Sequence, residues 1–188
     1  MMNKLSIVAI SLLSALATAQ ASAANDTTGF YVGGALNKVT LDGDDVTDSR
    51  SGTGLGAYGG YNFNEWFGLE ANLFATGDLG NKDVDASAGA LSFTPKFTAH
   101  INDIFSVYAK AGVATMLVKF ESNGQKLDFT GFGWTYGAGV NAAVTEHLNI
   151  RVSYDVTTGK LDADNNSLGL NDIDTDIKQF AVGVHYQF

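Results

Sequence analysis

Apolar and polar residues alternate with a period of two along most of the chain after residue 28. The clearest run closes the sequence, where Phe180, Val182, Val184, Tyr186 and Phe188 alternate with small or polar residues. Successive side chains of a strand point to opposite faces, so this period predicts β-strands that each have one apolar face. The pattern predicts eight strands, over 29–38, 52–63, 66–76, 87–101, 104–119, 131–144, 148–158 and 177–188.

The segments between these strands alternate in length. Short turns alternate with longer polar segments, the turns being 64–65, 102–103 and 145–147 and the longer segments lying near 39–51, 77–86, 120–130 and 159–176. This arrangement is typical of outer-membrane barrels, whose strands need roughly 9–11 residues to cross a bilayer. A backbone group left unpaired in hydrocarbon costs several kcal/mol, so a sheet that spans the membrane must close. We therefore predict an all-β fold, an eight-stranded antiparallel transmembrane β-barrel with up-and-down connections.

A soluble β-sandwich would show a similar alternation, but here the residues opposite the apolar set are persistently small or polar from strand to strand. The composition separates the barrel from a helical membrane protein. The 188 residues have a mean hydropathy of +0.04, with 22 glycines, one proline and no cysteine. A chain whose lipid-facing and interior residues alternate averages near zero, whereas a helical membrane protein would not. The formal net charge of -9 argues against nucleic-acid binding, which requires a basic surface.

The N-terminus carries the pattern of a secretory signal peptide. Lys4 lies in a short positive region, 5–19 is apolar, and Ala21-Ser22-Ala23 supplies small residues for cleavage before Ala24 or one residue later. The alternative, an uncleaved anchor, is disfavoured because the run is shorter than the roughly 20 residues of a spanning helix. We predict a cleaved signal peptide at 1–23 and an outer-membrane barrel domain at 24–188, integral to a Gram-negative bacterial envelope.

The same alternation assigns several charged residues to the inside of the barrel. An eight-stranded barrel is just wide enough for side chains to fill it, and we expect its interior to be small or polar. Buried charges need partners, so we predict an ionic network in the lumen. Two interpretations remain open: a network that only holds the barrel in register, and a regulated ion pathway. The inward charged residues are Glu70, Lys96, Lys110, Arg151 and Asp155, accompanied by Asn141 and His100.

Three stretches together resemble the OmpA-type transmembrane barrel: Phe30–Gly34, Gly54–Glu70 and the terminal Tyr186-Gln187-Phe188. OmpA itself continues beyond its barrel into a peptidoglycan-binding domain, whereas the predicted last strand of this sequence ends at Phe188. This chain is therefore expected to be closer to the barrel-only members of the family. The resemblance implies that Tyr186 and Phe188 form a signal for the barrel-assembly machinery. It also implies an interior salt-bridge gate.

Residues of the implied gate can be matched one by one. Its glutamate, lysine and arginine correspond to Glu70, Lys96 and Arg151, and its second glutamate is replaced here by Asn141. A gate that switches a cation between two carboxylates therefore departs from the family pattern at this position.

Aromatic residues cluster near the predicted strand ends, including Tyr61, Phe63, Trp66 and Phe67. This placement predicts an aromatic girdle at the membrane interface, the alternative being scattered core aromatics.

Other chemistry is weakly supported. The three histidines lack metal-ligand spacing, so no metal or cofactor is predicted. Ser153 and His185 both face a packed lumen without substrate access, which disfavours an enzyme. The segment 162–166 resembles the start of a calcium loop, but Ser167 and Ile173 break the pattern, and a solvated acidic loop is favoured.

These observations predict a structural or surface-interaction role in the envelope. The alternatives are a narrow porin-like channel for ions and small solutes and, less favoured, a lipid-modifying enzyme. Expected partners are outer-membrane lipid, lipopolysaccharide, the barrel-assembly machinery and an extracellular ligand that binds the loops. We expect a monomer.

Overall fold

A computed structural model describes residues 27–43, 50–77, 85–122, 125–163 and 173–188. The predicted signal peptide lies outside these ranges. No helix in the described ranges is long and apolar enough to cross a membrane. The strands are β1 (Gly29–Gly43), β2 (Arg50–Asn62), β3 (Phe67–Thr76), β4 (Asp85–His100), β5 (Phe105–Ser122), β6 (Gln125–Ala143), β7 (Leu148–Ala163) and β8 (Ile173–Gln187).

Each strand pairs antiparallel with the next, and β8 returns to pair with β1, so the sheet forms a closed barrel. This confirms the predicted fold class. At the seam, the Phe188 amide donates to the Phe30 carbonyl over 2.9 Å. The Gln187 side-chain amide donates to the carbonyls of Thr28 and Phe30 over 3.0 and 3.1 Å. The last strand therefore holds the first by side-chain as well as backbone hydrogen bonds.

The three tight turns share one mechanism. The Asn64 side-chain oxygen accepts hydrogen bonds from the amides two and three residues later, and Asn102 does the same. The Thr145 hydroxyl takes this role in the third turn. Such side chains satisfy turn amides that have no strand partner. Together these turns define one end of the barrel, the short-turn end.

At the opposite end the strands are longer than predicted. β5 continues to Ser122 and β6 begins at Gln125, and these two residues pair, so the predicted connection over 120–130 is mostly strand. β1, β7 and β8 also extend into predicted connections. The strands pair through backbone hydrogen bonds, so the pairing continues beyond the lipid-facing band. Outside that band, apolar and polar side chains no longer need to alternate. The sequence period ends there although the pairing does not.

The outward face is apolar from the short-turn end to about the middle of the long strands. Large exposed residues such as Leu36, Phe93 and Trp134 have more than half of their surface accessible. A band of this extent would cause aggregation in water but is solvated by lipid. Outward positions become polar at Lys38, Lys119 and Lys160, which mark the far edge of the band.

Candidate functional site

The polar layer inside the barrel is built around Glu70 on β3, whose side chain is fully buried. Its Oε2 lies 2.6 Å from Arg151 Nη1 and 4.0 Å from Lys96 Nζ. Its Oε1 lies 3.0 Å from Lys110 Nζ. One carboxylate therefore contacts three cations that come from three other strands, β4, β5 and β7.

A second carboxylate and an amide complete this layer. Asp155 Oδ1 lies 3.0 Å from Lys110 Nζ, and the Ser153 hydroxyl donates to Asp155 Oδ2 over 3.1 Å. Arg151 Nε donates to the Asn141 side-chain oxygen over 2.9 Å. Asn141, where the OmpA-type gate has a glutamate, thus binds the arginine as a neutral acceptor.

The structure brings six predicted lumen residues into this layer, and His100 lies elsewhere. His100 is on the same face of β4 as Lys96, but it is the last residue of the strand and is exposed. The expectation that it lies buried inside the lumen is wrong, because the strand ends at His100 and its side chain is exposed. The residues brought together, which we call the ionic layer, are Glu70, Lys96, Lys110, Asn141, Arg151 and Asp155.

Three buried tyrosines that were not among the predicted site residues surround the ionic layer; we call them the tyrosine shell. The Tyr31 hydroxyl donates to Glu70 Oε2 over 2.7 Å and accepts from Lys96 Nζ over 2.7 Å. The guanidinium carbon of Arg151 lies 4.4 Å from the ring centre of Tyr58 and 4.7 Å from that of Tyr108. Aromatic faces stabilise cations that have been removed from water.

Each of these tyrosines is paired with a glycine on a neighbouring strand. The register places Tyr31 opposite Gly60, Tyr58 opposite Gly33, and Tyr108 opposite Gly139. A Cβ atom on any of the three glycines would come within 2.7 Å of the paired tyrosine side chain. The sequence signal for the tyrosine shell is a tyrosine at an inward position whose cross-strand neighbour is an inward glycine.

An apolar cluster occupies much of the lumen nearer the long connections, which corrects the expectation of an interior that is small or polar throughout. Inward residues of seven strands pack into one hydrophobic cluster there. The interior of an eight-stranded barrel is narrow enough to be filled by side chains. Apolar side chains can therefore fill it as well as ion pairs can. This apolar layer consists of Val39, Phe74, Ala88, Ala90, Met116, Val118, Phe129, Leu161 and Ile177.

The predicted girdle aromatics lie at the short-turn end and contact one another. Ring centres of Tyr61 and Phe63 are 5.0 Å apart, and Phe67 is 5.8 Å from both Phe63 and Trp66. Tyr61, Phe63 and Trp66 are exposed, and Phe67 is partly buried. The predicted assembly residues Tyr186 and Phe188 are also exposed at this end, with ring centres 5.1 Å apart.

Candidate metal or catalytic groupings are limited. Within the described ranges no group of three or more histidine, cysteine or acidic residues is placed to hold a metal ion. Ser153 and His185 are both buried in the lumen; Ser153 bonds to Asp155, and His185 Nδ1 lies 3.2 Å from the Tyr58 hydroxyl. Each is engaged with a different partner.

Comparison with known proteins gives consistent results. The family model described as "Outer membrane protein beta-barrel domain" matches residues 9–188. A 22 kDa outer membrane protein of Rhizobium leguminosarum bv. viciae is 30% identical over 141 residues, which cover 69% of this chain and 63% of that protein. The chain therefore spans less than two thirds of this curated relative.

Solved structures show the same fold at low identity. Neisserial surface protein A matches with a TM-score of 0.72 and 16% identity, over 86% of this chain and 98% of that chain. Ail of Yersinia pestis matches with a TM-score of 0.62 and 21% identity, over 86% and 99%. Ail in complex with the heparin analogue sucrose octasulfate matches with a TM-score of 0.59 and 22% identity, over 86% of this chain and 99% of that chain.

Proposed function

Because the chain belongs to the outer-membrane β-barrel protein family, we propose that it is a closed, non-conducting barrel whose long-connection end binds partners outside the cell. In this proposal the membrane-spanning part is an anchor, and recognition belongs to the ends of the long strands and the segments that join them. The predicted signal peptide at 1–23 exports the chain, and the terminal Tyr186 and Phe188 take part in its assembly.

The observation that carries the proposal is the filling of the lumen by two successive layers. An ion that crossed would first have to separate the ion pairs around Glu70, which is fully buried. It would then have to enter the apolar layer, where residues such as Met116 and Ile177 are at most 2% exposed. Moving a charge into unpaired apolar surroundings is strongly unfavourable. Such a lumen supports an anchor over the alternative of a narrow channel.

The charge at the long-connection end indicates what it binds. Acidic residues outnumber basic ones in the segments joining the long strands. The structure of Ail in complex with sucrose octasulfate shows a highly anionic ligand bound to that protein. Acidic segments would repel such a ligand. We therefore expect this chain to prefer cationic surfaces. The acidic residues are Asp44, Asp45, Asp48, Asp78, Asp83, Asp164 and Asp172.

Conductance tests the first half of the proposal. Purified protein is inserted into planar bilayers beside a known porin, which controls for insertion and detection. We expect no single-channel steps from the wild type or from Arg151→Ala, because the apolar layer remains in both. Reproducible steps from the wild type would replace this proposal with the channel interpretation.

Binding to a defined cationic surface tests the second half. Cells producing the wild type are compared with cells producing a variant in which the seven acidic residues above are changed to asparagine, using polylysine-coated beads as the probe. The matched control carries Glu65→Gln, Asp103→Asn and Glu146→Gln in the short turns, at the opposite end of the barrel. We expect binding to fall only in the first variant. Equal binding by all three would refute a recognition role for that end.

A further inference from the structure

A small cavity lies beside the ionic layer, inside the barrel wall. About 10 Å³ of it is open to the centre of a water-sized sphere, which leaves room for one small molecule or ion. None of the nine described residues that line it is acidic, and six carry polar or positively charged side chains. These six are Tyr58, Asn72, Lys110, Arg151, Ser153 and Gln179.

The ionic layer carries an excess of positive charge. Lys96, Lys110 and Arg151 are opposed by two carboxylates, those of Glu70 and Asp155. All five are buried. With every group in its ordinary ionised form, the layer holds one uncompensated positive charge in a low-dielectric interior, which is unfavourable unless an anion balances it.

Arg151 connects this charge excess to the cavity. It lines the cavity and is 4% exposed, and its Nη2 has no hydrogen-bond acceptor among the described residues. A buried guanidinium donor without an acceptor costs free energy. Lys110 lines the same space, and its two carboxylate partners do not. Two cations therefore border a cavity that also has neutral donors and no acidic wall.

We propose that this cavity binds one small monatomic anion of the size of chloride. The anion accepts hydrogen bonds from Arg151 and Lys110, with the side-chain amides of Asn72 and Gln179 completing its surroundings. The size of the cavity excludes sulfate, phosphate and carboxylate ligands. The anion neutralises the ionic layer and stabilises the closed barrel, a role that is independent of what the long-connection end binds.

Bromide diffraction tests the site directly. Crystals of the whole barrel grown in sodium bromide are measured at the bromine absorption edge, and we expect an anomalous peak in the cavity, within hydrogen-bonding distance of Arg151 and Lys110. A neutral Lys96 would balance the charge without an anion, so the experiment must detect the ion itself. A cavity that shows only water, or no anomalous peak, overturns the proposal.

A solution experiment adds matched variants. Gln179→Glu places a carboxylate in the cavity wall, whereas Asn149→Asp adds the same charge to an inward position of β7 that does not line the cavity. Unfolding equilibria are compared in chloride and in sulfate at equal ionic strength. At chloride concentrations about ten times the dissociation constant, linkage predicts a roughly tenfold smaller unfolding constant for a barrel that binds the ion.

We expect that chloride response in the wild type and in Asn149→Asp and its loss in Gln179→Glu. General salt effects act on all three proteins alike and therefore cancel in the comparison. A chloride response of equal size in Gln179→Glu would refute the assignment of the site. Should Gln179→Glu not refold, the bromide experiment on the wild type still decides the matter.

Discussion

Neutralising Glu70 without changing its shape tests the ionic layer most sharply. Glu70→Gln keeps the volume of the side chain and one oxygen that accepts from Tyr31 and Arg151, but it removes the charge facing Arg151 and Lys110 at 2.6 and 3.0 Å. At an effective dielectric constant of about 20, one pair of charges 3 Å apart attracts by about 5.5 kcal/mol before desolvation is counted. Measured losses on breaking a buried pair are about 3–5 kcal/mol.

The retained hydrogen bonds place Glu70→Gln at the lower end of that range, so we expect a loss of about 3 kcal/mol in the free energy of unfolding. This corresponds to about two powers of ten in the unfolding constant. The assay is urea unfolding from lipid vesicles, followed by the emission of Trp66 and Trp134, which are both exposed on the outer face. Gel mobility of unheated samples checks that the barrel has folded.

Two further variants make the measurement decisive. Glu65→Gln, in an exposed turn, controls for loss of a carboxylate and is expected to change stability by less than about 0.5 kcal/mol. Adding Lys96→Met to Glu70→Gln removes a cation that has lost its carboxylate, so part of the stability should return, and a double-mutant cycle measures the coupling. A loss below about 1 kcal/mol in Glu70→Gln would refute the reasoning, because it would mean that solvent already screens the ionic layer.

Three more predictions concern the lumen wall and the seam. Arg151→Ala should lower the free energy of unfolding by about 3 kcal/mol or more, because it removes the shortest ion pair and empties the space between the tyrosines. Urea titration measures this loss, and an unfolding midpoint equal to that of the wild type would contradict the prediction. Gly60→Ala should cost about 1–3 kcal/mol, since its Cβ would clash with the Leu69 carbonyl oxygen and come within 2.6 Å of the Tyr31 hydroxyl. Outward Gly34→Ala, with its nearest neighbour at 3.6 Å, should fold normally; equal losses would argue against close packing at the inward glycine. Gln187→Ala should cost about 1 kcal/mol and speed unfolding by releasing two carbonyls at the seam; an unchanged unfolding rate would exclude that role.

Most of the barrel could be predicted because the membrane imposes a local rule on the sequence. Lipid contact on one face gives the period of two, and Asn64, Asn102 and Thr145 mark the turns with short-range hydrogen bonds. Both signals depend on residues close together in the chain. At the long-connection end neither operates, which is why the ends of β5 and β6 were misplaced.

The inside of the barrel was predicted less completely. The alternation of inward and outward positions identified which charged residues face inward. His100 shows that a residue on the inward face can still be exposed where its strand ends. Which inward residues meet depends on register between strands distant in sequence, as for Glu70 and Arg151, which lie 81 residues apart. The tyrosine shell and the apolar layer depend on the same register.

The sequence by itself determined the strands, the lipid-facing side of each and the need for closure, because these follow from solvation of side chains and backbone in a bilayer. Only the tertiary structure decided how the lumen is filled: one carboxylate contacting three cations, each tyrosine over a glycine, and an apolar layer beyond them. A narrow closed cylinder brings side chains from all eight strands within contact distance. Their pairing is set by the stagger of the strands, which no local pattern in the sequence specifies.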